Sequence, residues 1–303
     1  MKILLTGATG FIGSQLTKHL LSEGHSVAIL VRPESNLDVL QYIISNIKVY
    51  VIDYTYTGLL QAVGDEQPDI VIHLASLFLS QHNPNDTSRL IESNINFPVQ
   101  LLEVMCQLGV KQFLNTGTSW QHYENHIYSP VNLYAATKQG FEAILSYYVQ
   151  VKNFKVITLK LFDTYGAGDT RQKLFSLLRK AAKTGEVLKM SYGEQSLDLV
   201  YISDVVKAYS LMIKKLSKVK ESECYAISSS TQIKLKKLVQ LYSKCLGKDL
   251  EVKWGALPYR EREVMNPWSS YELVPDWVAS VSLSEGIILM EKDYNIKGLL
   301  SQV

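Results

Sequence analysis

A tyrosine and a lysine one helical turn apart form the most reactive pattern in the chain. Tyr134 and Lys138 lie four residues apart in a stretch predicted to be helical, so their side chains share a face. An ammonium group stabilises a nearby phenolate, and we therefore expect Lys138 to lower the pKa of Tyr134 from about 10 towards neutral pH. Ser119 precedes Tyr134 by 15 residues and follows an apolar run. Beside a dinucleotide site, these three groups would form a proton relay for carbonyl–alcohol chemistry, whereas alone the pair could be a helix-surface contact.

A glycine-rich turn near the N-terminus supplies such a site. Gly7, Gly10 and Gly13 lie between a short apolar run and an amphipathic stretch, so a strand, a turn and a helix N-terminus follow one another. We expect Gly7 to permit the tight turn, Gly10 to let the backbone approach a pyrophosphate, and Gly13 to let the helix pack on the strand. The spacing differs from Gly-x-Gly-x-x-Gly, and an ordinary tight turn is the alternative. The residues expected to contact a dinucleotide here are Gly7, Thr9, Gly10, Phe11 and Ile12.

The end of the second predicted strand indicates which dinucleotide binds. An NAD-binding protein usually has an acidic residue here for the ribose hydroxyls, whereas this chain has Arg32. A guanidinium suits the 2′-phosphate of NADP, and Ser35 lies three positions further on. Glu34 is also close and could take the acidic part, and Arg32 could be an ordinary surface residue. We predict NADP(H) as the cofactor in preference to NAD.

Two further strand ends complete the predicted cofactor site. Asp53 follows the third predicted strand, where it could accept a hydrogen bond from the adenine amino group or serve as a turn residue. Leu74 and Ala75 follow the fourth strand, and we expect the cofactor to lie against the sheet at these positions.

The bulk composition is typical of a soluble protein of the cytoplasm. The chain has 303 residues, 47% of them hydrophobic, and a net charge of +2 without a long basic run, so no nucleic-acid partner is expected. Its three cysteines lack metal-ligand spacing, and we expect reduced thiols and no metal. No signal-peptide core or 18-residue apolar span occurs, so no membrane contact is expected.

Alternating elements must position the reactive residues. The alternation predicts an α/β fold, a doubly wound parallel sheet with helices on both faces. The predicted strands are 2–5, 26–31, 48–52, 70–74, 112–116 and 156–161, and the predicted helices are 11–23, 38–45, 87–108 and 133–152. After residue 166 the regular alternation of strands and helices ends. Strands are predicted near 187–190, 199–202 and 251–254, and helices near 173–184, 204–216 and 234–246. We predict a dinucleotide-binding domain over 1–165, to which segments around 187–210 return, and a smaller, mainly substrate-binding α/β lobe over 166–303.

Several motifs together resemble the extended short-chain dehydrogenase/reductase family, in its NAD-dependent epimerase/dehydratase group. They are the segments 6–13, 71–75, 161–166, 198–205 and 283–287, together with Tyr134 and Lys138. The resemblance extends over nearly the whole chain. It implies a Rossmann-type domain, bound NAD(P), a nucleoside-diphosphate sugar as substrate and a homodimer built from paired helices such as 87–108 and 133–152.

The family resemblance also implies roles around the catalytic hydroxyl. Family members have Ser/Thr-x-x-x-Tyr at this point, which Ser119 and Tyr123 match, so Ser119 is preferred and Thr118 is a second possible donor. The 4,6-dehydratases of the family have an Asp-Glu pair directly after this hydroxyl. Here the two positions hold Trp120 and Gln121, neither of which titrates usefully, and this argues against dehydration.

Segments 117–123 and 162–166 resemble bacterial nucleotide-sugar 4-ketoreductases, such as CDP-abequose and CDP-paratose synthases and dTDP-4-keto-6-deoxyhexose reductases. These enzymes make deoxysugars for surface polysaccharides. The resemblance implies hydride transfer from NADPH to C4, with Tyr134 protonating the alkoxide, Ser119 hydrogen-bonding it, and Lys138 holding the cofactor ribose. A 4-epimerase that retains NAD and a non-catalytic NADP-binding sensor are the alternatives. The nucleotide, the C4 stereochemistry and any deoxygenation at C3 stay open.

The substrate end of the site departs from the family pattern. Leu197 stands where relatives often have a diphosphate-binding arginine, so Arg260 is the better candidate unless it only pairs with Glu263. Asp163 stands where many relatives have asparagine.

A carboxylate at position 163 would repel a phosphate unless it were paired, with Arg171 or Lys173 as the possible partners. Lys173 and Leu174 also lie where family members often contact the nucleotide base.

Overall fold

Buried apolar strands form the centre of the molecule. A computed structural model describes residues 1–53 and 55–300. The strands are β1 (Lys2–Thr6), β2 (Ser26–Val31), β3 (Lys48–Val51), β4 (Ile70–His73), β5 (Gln112–Thr118), β6 (Lys155–Leu161), β7 (Asp163–Tyr165), β8 (Leu188–Lys189), β9 (Ser196–Tyr201), β10 (Ser222–Ile227), β11 (Gln232–Lys234) and β12 (Val252–Lys253). Seven of them form one sheet in the order β10-β6-β5-β4-β1-β2-β3, and every pair in it is parallel.

Helices cover both faces of this sheet. They are α1 (Phe11–Ser22), α2 (Tyr56–Glu66), α3 (Thr87–Ile91), α4 (Phe97–Gln107), α5 (Leu133–Lys152), α6 (Leu174–Thr184), α7 (Ile202–Leu216), α8 (Leu235–Leu246) and α9 (Leu283–Leu300). Successive residues of β1 face opposite ways: Ile3 and Leu5 join a core with α1 and α7, whereas Leu4 joins a core with α2, α4 and α5. The predicted doubly wound parallel sheet is thus confirmed.

The second half of the chain adds small sheets beside the large one. Strands β11, β9 and β7 form a three-stranded sheet, and β12 pairs with β8. Helix α7 packs against α1, and β10 joins the edge of the large sheet beside β6. The division into two domains at residue 165 stays a prediction. Within residues 1–53 and 55–300, no helix is long and apolar enough to cross a lipid bilayer.

Local structure differs from the sequence prediction in several places. The helix predicted over 38–45 is wrong: two short 3₁₀ turns, Asp38–Leu40 and Ile44–Asn46, occupy this segment and bury Leu40. Helix α2 was not predicted, because Gly58 and Gly64 lower the helix propensity of its sequence. Strand β10 and helix α9 were also not predicted. The helix predicted over 87–108 contains a π-helical turn, Glu92–Asn96, between α3 and α4.

Candidate active site

The loops that carry the predicted site residues meet at one edge of the sheet. Because the strands are parallel, the segments following β1, β2, β3, β4 and β5 all emerge at this edge. The chain runs outwards from β1 to β3 and then returns to β4, so β1 and β4 are neighbours with diverging connections. Ligands of open α/β sheets bind in the crevice at such a switch point.

The glycine turn occupies one side of this crevice. Gly7 has a φ of +73°, and a Cβ atom there would lie 2.6 Å from the backbone nitrogen of Ala75, so the turn presses against the segment after β4. A Cβ on Gly13 would overlap the carbonyl oxygen of Gly7. Gly13 therefore lets α1 pack closely against the turn that follows β1, while α1 also contacts β1 itself.

The start of α1 fits the pyrophosphate of a dinucleotide. Gly10 is its N-cap and provides no side-chain hydrogen bond, while its own N–H donates to the Gly7 carbonyl at 3.0 Å. Thr9 precedes the cap, and Phe11 and Ile12 begin the helix, all partly buried. The first-turn N–H groups therefore have no side-chain cap and present the positive end of the helix dipole.

A buried histidine joins the two strand ends that line the crevice. The Nδ1 atom of His73 lies 2.8 Å from Thr6 Oγ1, which also accepts a hydrogen bond from the Ala75 N–H at 3.2 Å. Complete burial, with a smaller contribution from Lys138, holds the pKa of His73 well below its ordinary value of 6.5. His73 is therefore neutral at physiological pH and has a structural place beneath Leu74 and Ala75.

The tip of the second strand presents charges of both signs. Arg32 Nε lies 3.3 Å from Glu34 Oε1, and both side chains are more than half exposed. Ser35 Oγ accepts a hydrogen bond from the Arg32 N–H at 3.0 Å, which fixes the turn. The tip offers a guanidinium for a 2′-phosphate and a carboxylate for ribose hydroxyls, so its geometry alone does not select the cofactor.

Asp53 has a local partner. Its exposed Oδ1 accepts hydrogen bonds from the N–H and the hydroxyl of Thr55, at 3.1 and 2.6 Å. Thr55 in turn caps the N-terminus of α2. This geometry matches the turn role for Asp53, and its predicted contact with adenine stays untested.

Burial shifts the pKa of Tyr134 and of Lys138, the two reactive groups on α5. The helix begins at Leu133, where Asn132 caps it by accepting a hydrogen bond from the Ala135 N–H at 2.9 Å. Burial raises the pKa of Tyr134 to about 12, whereas burial lowers the pKa of Lys138 to about 8. The expectation that Lys138 lowers the pKa of Tyr134 is wrong in this structure, because loss of hydration disfavours the charged form of each group.

Thr118 and Ser119, the two candidates for the catalytic hydroxyl, differ in their hydrogen bonds. Thr118 Oγ1 accepts a hydrogen bond from the Trp120 N–H at 3.3 Å and so caps a 3₁₀ turn. Ser119 Oγ has no hydrogen-bond partner among residues 1–53 and 55–300, and it is therefore available to a ligand. Gln121 is fully buried, and its Oε1 accepts from the Thr118 N–H at 2.9 Å while its Nε2 donates to Gln139.

Sequence reasoning missed two residues that support Tyr134. Ser76, after β4, lies near enough to the Tyr134 hydroxyl to lower its pKa, and it donates to Asn94 Oδ1 at 3.1 Å. Asn94 lies in the π-helical turn, and its Nδ2 donates to the Leu77 carbonyl and to Thr137 Oγ1. The sequence signal for Asn94 is its position among apolar residues of the helix predicted over 87–108, four residues after Leu90 and three before Phe97.

A buried ion pair includes Glu142, the residue one helical turn beyond Lys138 on α5. Lys160 Nζ is 2.7 Å from Glu142 Oε2. A Cβ on Gly117 would lie 2.7 Å from Lys160 Cδ, so this glycine makes room for the pair. Glu142 raises the pKa of Lys138, and Lys160 lowers it, although burial has the largest effect.

The predicted substrate residues gather on the other side of the site. Asp163, at the start of β7, is partly buried, which raises the pKa of its carboxyl, while Lys173, Arg171 and Arg260 act against this rise. None of these cations lies within ion-pair distance of Asp163 in the described part of the chain.

Each basic residue at this end has a different neighbour. Arg171 pairs with Asp169 at 2.7 Å, and Arg260 Nε lies 3.8 Å from Glu263 Oε2 while half of its side chain is exposed. Lys173 occupies the N-cap position of α6, which begins at Leu174, without a side-chain hydrogen bond to the helix. Among the described residues, no group of three or more His, Cys, Asp or Glu side chains is placed to hold a metal ion.

Comparisons with known proteins agree with this architecture. CDP-abequose synthase of Yersinia pseudotuberculosis is 30% identical over 272 residues, covering 89% of this chain and 93% of that protein. CDP-abequose synthase of Salmonella muenchen is 26% identical, covering 94% and 95%.

Solved structures of similar fold cover nearly the whole chain. UDP-glucose 4-epimerase of Thermotoga maritima, solved with UDP-glucose, matches with a TM-score of 0.87 at 23% identity, covering 98% of this chain and 99% of that one. UDP-glucuronic acid 4-epimerase of Bacillus cereus, solved with UDP-glucuronic acid and NAD, also gives 0.87 at 23% identity, covering 99% and 100%. The model of the NAD dependent epimerase/dehydratase family matches residues 3–228. This chain belongs to that family.

Proposed function

We propose that the protein catalyses NADPH-dependent reduction of the C4 keto group of a nucleoside-diphosphate 4-keto-6-deoxyhexose, in the synthesis of sugars for surface polysaccharides. The observation that carries the proposal is the pair of positions after Ser119. Trp120 packs against an aromatic ring and Gln121 is buried in a hydrogen-bond network, so neither supplies the acid or base that dehydration needs. Similarity to the CDP-abequose synthases supports the same reaction.

The residues present fit one hydride and one proton transfer to a ketone. When bound, the reduced nicotinamide would supply the hydride for C4. Tyr134 would give its proton to the oxygen that becomes the alcohol, and its raised pKa keeps it protonated at neutral pH. Ser119 would donate a hydrogen bond to the same oxygen. Lys138, one turn away, would bind the ribose hydroxyls of the cofactor.

The cofactor, the assembly and the compartment are part of the proposal. Arg32 would bind the 2′-phosphate of NADP, after release from Glu34. Exposed apolar side chains on α5, Tyr147 and Val151, support a homodimer that pairs this helix between subunits. Free cysteines, none of them in a disulfide among the described residues, are compatible with a cytoplasmic protein.

An NAD-dependent 4-epimerase is the second candidate. Glu34 lies beside Arg32 at the strand tip, where an acidic residue suits the ribose of NAD. The 4-epimerase of Bacillus cereus binds NAD.

A cofactor-consumption assay separates the two. The purified protein is mixed with NADPH and a CDP- or dTDP-linked 4-keto-6-deoxyhexose, and the absorbance of the reduced nicotinamide is followed. A reductase oxidises one NADPH per sugar, whereas an epimerase gives no net oxidation. Arg32→Ala should raise KM for NADPH about tenfold and leave KM for NADH unchanged, with Glu34→Ala as the matched variant. Equal use of NADH and NADPH by the native protein would contradict the cofactor assignment.

A further inference from the structure

Two aromatic rings stand directly beside the proposed catalytic groups. Phe78, in the segment after β4, meets the ring of Tyr134 edge-on, with centroids 4.9 Å apart, and 40% of it is exposed. Trp120 follows Ser119 in the chain, and its ring lies 5.7 Å from that of Phe78. We name Phe78 and Trp120 the apolar wall. It extends from the ring of Tyr134 to the residue that follows Ser119 in the chain.

Two cations lie over the apolar wall. Lys173 Nζ is 4.6 Å from the ring centroid of Phe78, and Arg260 Cζ is 5.9 Å from that of Trp120. Both come from the second half of the chain, Lys173 at the start of α6 and Arg260 near Glu263. A ligand at this place therefore meets apolar rings beside the reacting groups and positive charge adjacent to them. This arrangement fits a molecule with an apolar substituent near its reacting carbon and an anionic group further along.

We propose that the apolar wall is a subsite for the methyl group of a 6-deoxyhexose, and that it selects this sugar against the 6-hydroxylated one. The inference rests on the proposed function, because it takes Tyr134 and Ser119 to hold the oxygen on C4. In a hexose, C5 is bonded to C4 and carries C6. The C6 group is therefore held close to whatever surrounds the C4 oxygen, here Phe78 and Trp120.

The two C6 groups differ in what the rings offer them. A methyl group gains by leaving water for an aromatic surface. A hydroxyl against the same rings loses its water and finds no acceptor for its proton on Phe78 or on the ring face of Trp120, and a hydrogen bond accepted from Lys173, which lies over Phe78, offsets only part of that loss. We expect a preference of about tenfold to a hundredfold for the 6-deoxy sugar, the range typical of apolar pockets that meet an added hydroxyl.

Binding without turnover tests the subsite. The native protein, saturated with NADPH, is titrated in a calorimeter with the glucose, 6-deoxyglucose and glucuronic acid derivatives of CDP and of dTDP, none of which has a keto group to accept the hydride. Within each nucleotide, the Kd for 6-deoxyglucose should be at least about tenfold below that for glucose. Equal Kd values would overturn the proposal. So would tighter binding of the glucuronic acid derivative, since Lys173 would then make this a carboxylate subsite.

Variants of Phe78 connect the preference to the wall. Phe78→Ser should reduce the preference to about threefold or less, because its hydroxyl can pair with that of glucose, whereas Phe78→Leu should keep most of it. Tyr42→Ser changes an aromatic ring that is 85% exposed elsewhere, and it should leave the preference unchanged. A preference that survives Phe78→Ser would overturn the assignment.

The same protein is assayed for reduction of a 4-keto sugar nucleotide, which separates this inference from the proposed function. A preserved preference without reduction would contradict the function and keep the subsite. Reduction without a preference would contradict the subsite alone. Failure to bind any of these six nucleotide sugars would overturn both.

Discussion

At the scale of single residues, burial sets the charge of the two groups on which the proposed chemistry depends. Tyr134 is kept as a neutral acid by a pKa of about 12, and Lys138 has a pKa near 8 because it is almost fully buried. An acid that must give its proton to an alkoxide benefits from being protonated at the working pH. The nearby Ser76 side chain moderates this effect, since it lowers the pKa of Tyr134.

Removing the phenol hydroxyl should stop the reaction and leave cofactor binding intact. Tyr134→Phe keeps the ring contact with Phe78 and removes the proton donor, so kcat should fall about 10²- to 10⁴-fold. Steady-state kinetics and a fluorescence titration with NADPH measure the two effects. Tyr147→Phe, on the same helix and 47% exposed, is the matched control and should be unaffected. Full activity of Tyr134→Phe would remove the tyrosine from the mechanism.

The low pKa of Lys138 makes stability depend on pH. The pKa is 10.5 for an ordinary lysine and about 8 in the folded chain, so between these values the unfolded chain holds a proton that the folded chain has lost. Folding stability therefore rises with pH across this window, and the penalty for burying the charge is complete below about pH 8.

Lys138→Met removes this titration. The variant should be more stable than the native protein near pH 7, and the gap should narrow by about 2 kcal/mol by about pH 9.5. Urea unfolding of both proteins at the two pH values measures the change. A gap that does not vary with pH would show that the lysine titrates normally.

Spacing and residue type identify only part of the site. Tyr134, Lys138 and Ser119 stand out because they are near in sequence or follow a strand, and the structure places them at the predicted edge of the sheet. Ser76 and Asn94 do not stand out, since they meet only when the segment after β4 packs against the π-helical turn. Their role depends on distant parts of the chain, which a local pattern cannot show.

At the scale of elements, the glycine turn is packed so closely that Gly7 and Gly13 have no space for a side chain. The predictions that held here follow from strong local rules: a buried parallel strand is a continuous apolar run, and Gly24 ends α1 with a φ of +79°. The helix predicted over 38–45 failed because only Leu40 is buried there, so no apolar face supports a full helix. Strand β10 depends on pairing with β6, in which Ser222 lies opposite Val156, 66 residues earlier in the chain, and had no local signal.

Two glycine-to-alanine changes inside helices should act in opposite directions. In Gly13→Ala the new methyl overlaps the Gly7 carbonyl, so stability should fall by about 2–3 kcal/mol and dinucleotide affinity should fall with it. In Gly64→Ala the methyl would lie 3.8 Å from Leu108 Cδ1, an ordinary contact, and stability should rise by up to about 1 kcal/mol. Thermal unfolding and cofactor titration measure both. Similar losses in the two variants would mean that the close approach at Gly13 has no special effect.

At the scale of the whole molecule, the second half of the chain holds the segment that carries Ser119. We name residues 118–131 the serine loop. Arg262 donates to the Pro130 carbonyl at 2.7 Å and to Ser129 Oγ at 2.6 Å. Trp268 stacks on His122 with centroids 4.0 Å apart, and the Ser269 N–H donates to Asn125 Oδ1 at 2.7 Å.

These contacts predict that the second half of the chain positions the hydroxyl of Ser119 without touching the cofactor. Arg262→Ala removes two hydrogen bonds to the serine loop, and because small displacements of reacting groups are costly, kcat should fall about tenfold to a hundredfold. The affinity for NADPH should not change, since the predicted cofactor contacts lie on the loops after β1 to β4 and on Lys138 of α5, whereas Arg262 bonds Ser129 and Pro130. Arg262→Lys keeps the charge but not the paired geometry, and it should recover only part of the rate.

Arg89→Ala is the matched control, because Arg89 pairs with Asp86 on the surface and is 68% exposed. Its kcat should equal that of the native protein. A structural role alone would lower the melting temperature of Arg262→Ala and leave kcat of the folded fraction unchanged. A positioning role requires the opposite: a reduced kcat at a temperature where circular dichroism shows the variant fully folded, with the NADPH titration unaltered. A loss of rate that disappears after correction for the folded fraction would contradict the coupling of the two halves.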